Sequence, residues 1–97
     1  MDAMPLPVKT VAAAALLKAM GNERRLSILL HLSQGEKSVG ELESLVGLSQ
    51  SALSQHLAVL RQERMVRTRR QAQTIFYRLD GDTVGAILSL LRRLYPA

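Results

Sequence analysis

Apolar and polar positions alternate with a helical period over most of this chain, and the interruptions mark where one helix should end and the next begin. A leader at 1–7 contains Pro5 and Pro7, which disfavour helix before residue 8. An alanine-rich helix is expected over 8–20, stopped by Gly21. Asn22 can cap a second helix over 23–33 with an apolar stripe of Leu26, Leu29 and Leu30. Gln34-Gly35-Glu36-Lys37 reads as a polar break. Ser38 and Glu41 then have the spacing of a capping box and open a short helix that Gly47 ends. Ser49 caps the next helix, over 49–62, in which Leu53, Leu57 and Leu60 share one stripe. Beyond Gln62 the period changes to that of strands. Segments 66–70 and 73–79 are rich in Val, Thr, Ile, Phe and Tyr, and the tip near Gln71-Ala72 lacks the Asn-Gly or Gly of a tight hairpin, which predicts a looser loop. A last helix is expected over 82–95, capped by Asp80 or Asp82, with the stripe Val84, Ile87, Leu88, Leu91 and Tyr95.

The predicted fold class is therefore mainly α with a β-hairpin: a winged helix-turn-helix of about five helices, forming one domain over 8–95. The helix at 49–62 is its most informative part. Opposite the leucines lie Gln50, Ser51, Ser54, Gln55, Ala58, Arg61 and Gln62, a polar face almost without charge. A solvated helix face more often carries Lys and Glu pairs at i,i+4, whereas Gln, Ser and Arg reach base edges and phosphates in a major groove. The charge distribution agrees. The net charge is +5, and Arg61, Arg64, Arg67, Arg69, Arg70 and Arg78 cluster in a segment with Glu63 as its sole acid. A charged hairpin edge can also serve only to prevent aggregation, but next to a recognition helix it points to DNA.

Other function classes find little support. With no cysteine, the sequence offers no disulfide, thiolate metal site or thiol switch. Lys9 ahead of VAAAALL imitates a signal peptide crudely, but the apolar run is short and Lys18 breaks its continuation. No stretch approaches the roughly 18 apolar residues of a membrane span, so a cytoplasmic, nucleoid-associated protein is expected. The carboxylates are scattered and His31 and His56 isolated, which points away from an enzyme. His56 flanks the apolar stripe and is expected chiefly to pack and orient, with a phosphate or base contact as the alternative. Phe76 and Tyr77, adjacent in a strand, must point to opposite faces.

The blocks NERRLSIL, LSQSALSQHLAVLR and RRQAQTIFYRL, in this order and spacing, resemble the ArsR/SmtB family of bacterial regulators, and within it the HlyU/BigR/NolR branch. The likeness runs from about Leu16 to Tyr95. It implies a homodimer joined through the first and last helices (8–20 and 82–95), which reads an inverted repeat and usually represses. The departures matter as much. Ser38 and Gly40 stand where the family's metal sensors carry Cys-x-Cys. Leu30 and Pro96 stand where this branch often carries redox cysteines, and the last helix has no His. No metal or other cofactor is therefore expected.

The residues expected to read bases are Gln50, Ser51, Ser54 and Gln55, with His56 and Arg61 on the flank of the same helix. Arg67, Arg69, Arg70 and Gln73 should serve the wing. Val11, Ala15, Val84, Ile87, Leu88, Leu91 and Tyr95 should form the dimer interface. The partners are double-stranded DNA and a second copy of the chain, with no membrane, and a small-molecule or protein effector is left open. The rival readings are a protein-interaction module, disfavoured by a Gln/Ser face without aromatics, and an anti-silencing activator.

Overall fold

Three of the five helices begin at a side chain that accepts their unpaired N–H groups, and these caps fix the element boundaries. The computed structural model describes residues 6–97, so the first five positions of the expected leader lie outside the described residues. Its elements are α1 (Thr10–Met20), α2 (Glu23–Leu32), β1 (Lys37–Ser38), α3 (Val39–Val46), α4 (Gln50–Gln62), β2 (Val66–Gln71), β3 (Thr74–Leu79) and α5 (Thr83–Leu94). Asn22 Oδ1 accepts from the backbone N–H of Arg24 and Arg25 at 2.9 and 3.1 Å. Ser38 and Glu41 form the reciprocal capping box, and Ser49 Oγ accepts from Ala52 N–H at 3.2 Å. Gly47, at φ +67°, ends α3 in the left-handed region and makes the sharp turn into α4.

The first and last helices depart from expectation. α1 begins at Thr10, two residues late, and Lys9 offers no side-chain cap. Asp82 occupies the cap position of α5 but makes no capping bond. Its backbone lies in the right-handed helical region (φ −101°, ψ −11°) rather than the extended conformation that aims a carboxylate at the first-turn N–H groups. The Asp80 carboxylate instead lies 4.0 Å from Arg67.

The hairpin belongs to a three-stranded antiparallel sheet of order β1-β3-β2. Lys37 and Ser38, expected within or beside a polar break, pair with Tyr77 and Phe76. Two residues carry no periodic signal, so only the fold reveals this strand. The wing tip is a second correction. Pairing continues to Gln71↔Thr74, leaving Ala72 and Gln73 as a tight two-residue turn rather than a loose loop. Ala72 takes φ +56°, at the first central position, where type II′ turns favour glycine. The ladder bonds on both sides outweigh the roughly 1–2 kcal/mol that a left-handed alanine costs.

The core gathers Ile28 and Leu29 from α2, Leu42 from α3, Leu53 and Leu60 from α4, Met65 and Val66 beside the wing, and Val84 and Leu88 from α5. Val84 and Leu88, expected at the dimer interface, thus turn inward to their own protomer. α5 is apolar over a wide arc, and the sequence stripe includes both its core side and its outer side.

The strained tip gives the first test. Ala72→Gly should stabilise the protein by about 0.5–1 kcal/mol, the relieved strain less the entropy cost of glycine. A thermal midpoint equal to or below that of the parent would show that the tip carries no such strain.

Candidate nucleic-acid interface

α4 separates an apolar stripe from a polar face. Leu53, Leu57 and Leu60 are at most 2% exposed, whereas Gln50, Ser51, Ser54, Gln55, Ala58, Arg61 and Gln62 are all exposed. The residues expected to read bases therefore share one solvent-facing surface on a helix anchored by its opposite side. Ser54, Ala58, Arg61 and Gln62 also form one wall of an open cleft of about 380 Å³, whose other wall is Tyr77 of β3.

Strand register divides the wing residues between two faces. Val66, Thr68 and Arg70, opposite Leu79, Tyr77 and Ile75, line the face that packs toward the core and α4. Arg67, Arg69 and Gln71, opposite Arg78, Phe76 and Thr74, line the other. The two aromatics do point apart: Tyr77 packs against the core, and Phe76 lies beneath the Arg69 guanidinium, 4.4 Å from ring centroid to Cζ. Arg70 and Gln73 are exposed near the tip, as a phosphate or groove contact requires.

Arg69 is exposed, but its guanidinium is already engaged by neighbouring side chains. Its Nε donates to both Glu36 oxygens at 2.9 Å, and a terminal nitrogen donates at 2.6 Å. Another donates to Gln71 at 2.9 Å. The hydrogen bond from Arg69 holds the Glu36 carboxyl below its ordinary 4.5. Arg67, by contrast, only grazes Asp80 at 4.0 Å with both side chains well exposed, a contact of little energetic weight. Glu36 was not foreseen as part of this surface; it lies far from Arg69 in sequence, and no local spacing links the two.

His56 is half-buried at the flank of α4, as a packing role requires. Its Nδ1 lies 3.5 Å from a terminal nitrogen of Arg25. A guanidinium can only donate, so this contact favours the tautomer with Nδ1 unprotonated. Arg25 Nε also donates to the Ala19 carbonyl at 2.7 Å, so one side chain bridges the end of α1, the start of α2 and the recognition helix. This strut was likewise not legible in the sequence. Burial, then Arg25, then Arg24 hold the His56 imidazole below its ordinary 6.5.

The expected dimer residues divide. Val11 is 87% and Tyr95 78% exposed, Ala15, Ile87 and Leu91 are half-buried, and Leu17, Leu90 and Leu94 add exposed apolar surface on α1 and α5. Among the described residues no group of three or more His, Cys, Asp or Glu side chains could hold a metal ion. No helix among them is long and apolar enough to cross a membrane.

Comparison with known proteins places this geometry. The bacterial regulatory protein family arsR matches residues 22–68. The transcriptional activator HlyU of Vibrio cholerae is 54% identical over 95 residues, covering 98% of this chain and 88% of that protein. The crystal structure of the transcriptional repressor BigR from Xylella fastidiosa is 39% identical, with a TM-score of 0.87 over 92% of this chain and 91% of that one. A homodimeric winged helix-turn-helix DNA-binding domain from Mycobacterium bovis, solved by NMR, is 29% identical, with a TM-score of 0.79 over 96% and 89% of the two chains.

The setting of His56 has a measurable consequence. Its ring should titrate below 6.5 by NMR, because the folded state resists the charged form. The unfolded chain takes up that proton first as pH falls. The group's contribution to stability is thus whole above 6.5 and is lost as pH drops through the folded value. His56→Gln should remove this part of the pH dependence; a ring titrating at or above 6.5 contradicts the assignment.

Proposed function

The chain belongs to the arsR family of bacterial regulatory proteins, and from that premise we propose that it is a repressor that binds an inverted-repeat operator as a homodimer. Membership makes it a transcriptional regulator with a DNA-binding helix-turn-helix, among relatives that are regulators rather than enzymes. The observation that carries the finer reading is the exposed, nearly uncharged amide and hydroxyl face of α4, held by three leucines buried behind it. Amide side chains pair with adenine edges in the major groove, and serine hydroxyls can donate or accept. Gln50, Ser51, Ser54 and Gln55 are the base-reading residues of this proposal, with Arg61 and His56 on the flank.

Arg70, Gln73 and Arg67 serve the wing, of which Arg70 alone among the expected arginines lies on the sheet face shared with α4. Exposed Val11, Leu17, Leu90, Leu94 and Tyr95, with the half-buried Ala15, Ile87 and Leu91, supply the surface on which two copies join. A two-fold pair would set two recognition helices about one DNA turn apart, roughly 34 Å. Such a protein acts in the cytoplasm, on the nucleoid.

A second reading shares the same contacts. HlyU is named an activator and BigR a repressor. A dimer that covers a promoter blocks polymerase, and one that displaces another silencing protein activates, so operator position decides between them.

Fluorescence anisotropy against the chain's own upstream DNA and a scrambled duplex, over a salt series, tests the proposal. The native fragment should bind about a thousandfold tighter, with a steep salt slope. Gln55→Ala should cost about 1–3 kcal/mol on the best site and relax sequence preference. Arg70→Ala should weaken all duplexes alike and flatten the slope by about one. A protein that binds no duplex even at low salt would turn the reading toward a protein-interaction module.

A further inference from the structure

The wing's arginines are not equivalent. Arg70 and Arg78 make no ion pair among the described residues, and Arg67 makes only a loose one, but Arg69 is held from several sides. Glu36 takes its Nε and one terminal nitrogen, Gln71 takes the other, and the Phe76 ring lies against its flat face. A guanidinium has five N–H donors in a fixed planar fork, and three are engaged here: Nε–H and one N–H of a terminal nitrogen by Glu36, and one N–H of the other by Gln71. A DNA phosphate reaching the remaining N–H groups would have to share the cation with the Glu36 carboxylate or displace it, so the pairing weakens what Arg69 can offer a phosphate.

The position of Glu36 is what gives the clasp its reach. Glu36 immediately precedes β1, which leads into α3 through the Ser38 cap. Arg69 belongs to β2, which is hydrogen-bonded to β3 and not to β1. The ion pair therefore spans the central strand and ties the outer strand of the wing to the entrance of the helix-turn-helix. Its side chains are 27% and 48% exposed, so the pair remains open to solvent and the exchange of partners is not blocked by packing.

We propose that Glu36 is a positioning residue that suppresses indiscriminate DNA binding: it braces the wing against the helix-turn-helix and withholds the Arg69 charge from phosphate. This rests on the DNA-binding reading above. Counterion release makes every phosphate-neutralising cation add affinity for all sequences equally. A cation kept out of that exchange lowers non-specific binding while leaving the base contacts of α4 intact. Specificity, as the ratio of the two, rises.

The test compares wild type, Glu36→Gln and the double variant Glu36→Gln with Arg69→Gln on native and scrambled duplexes over a salt series. Glu36→Gln keeps the side chain's shape and removes its charge. It should tighten scrambled DNA by about threefold and steepen the salt slope by about 0.9, one additional phosphate contact. The preference for the native site should fall. The double variant, which lacks both charges, should return the slope to that of wild type. An unchanged slope in Glu36→Gln, or weaker binding to both duplexes, would overturn the proposal and leave the pair a structural brace alone. Wild-type protein that binds neither duplex would instead fail the DNA-binding reading on which the proposal stands, a result distinct from an unchanged slope.

Discussion

The burial of Leu53, Leu57 and Leu60 governs the reading head, because α4 has no other strong hold on the protein. Its opposite face is exposed along its length. The leucines enter a core built from Ile28 and Leu29 of α2 and Leu42 of α3. Each fully buried leucine contributes about 1.5–3 kcal/mol relative to solvent, far more than any exposed contact α4 makes. Rotation of the helix about its axis would pull that stripe from the core, so the angle at which Gln50, Ser51, Ser54 and Gln55 face outward is fixed from behind. The left-handed Gly47 and the Ser49 cap then set where the helix begins.

Polar contacts refine this placement. Arg25 reaches from α2 to the Ala19 carbonyl and to His56 on α4, so the end of α1 and the reading helix share one side chain. Arg92 of α5 reaches Ser33 at the end of α2. These are surface or half-buried bonds of modest individual worth, but the first joins the end of α1 to the reading helix and the second ties α5 to the α2 on which that helix packs. The outer sides of α1 and α5 meanwhile keep large apolar side chains in solvent, a cost an isolated protomer has no means of avoiding.

Where sequence reading succeeded, the signal was local. The leucine stripe, the Ser38–Glu41 capping box, the Gly47 stop and the opposed Phe76 and Tyr77 each follow from spacing over a few residues, and the structure contains them all. It failed where a partner distant in sequence decides the matter. Lys37 and Ser38 become a strand because β3 offers them an edge. Arg69 is taken by Glu36, which no pattern places beside it. Ala72 accepts a left-handed turn because pairing on both sides enforces it. Asp82 is a capping residue by type, but its backbone conformation prevents the bond. Val84 and Leu88 match their neighbours in hydrophobicity, and only their direction from α5 assigns them to the core.

The strand order β1-β3-β2 carries a consequence for how the molecule comes into being. β1 lies just before α3 and β2 just after α4, and both are held by β3, which is made after all of them. During synthesis the helices can form and collapse early, since their contacts are local. The clamp that closes their two ends together must wait until the chain has emerged through Leu79. A chain lacking β3 carries a basic, partly assembled reading head, and the core itself is complete only with α5, which follows β3 and adds Val84 and Leu88.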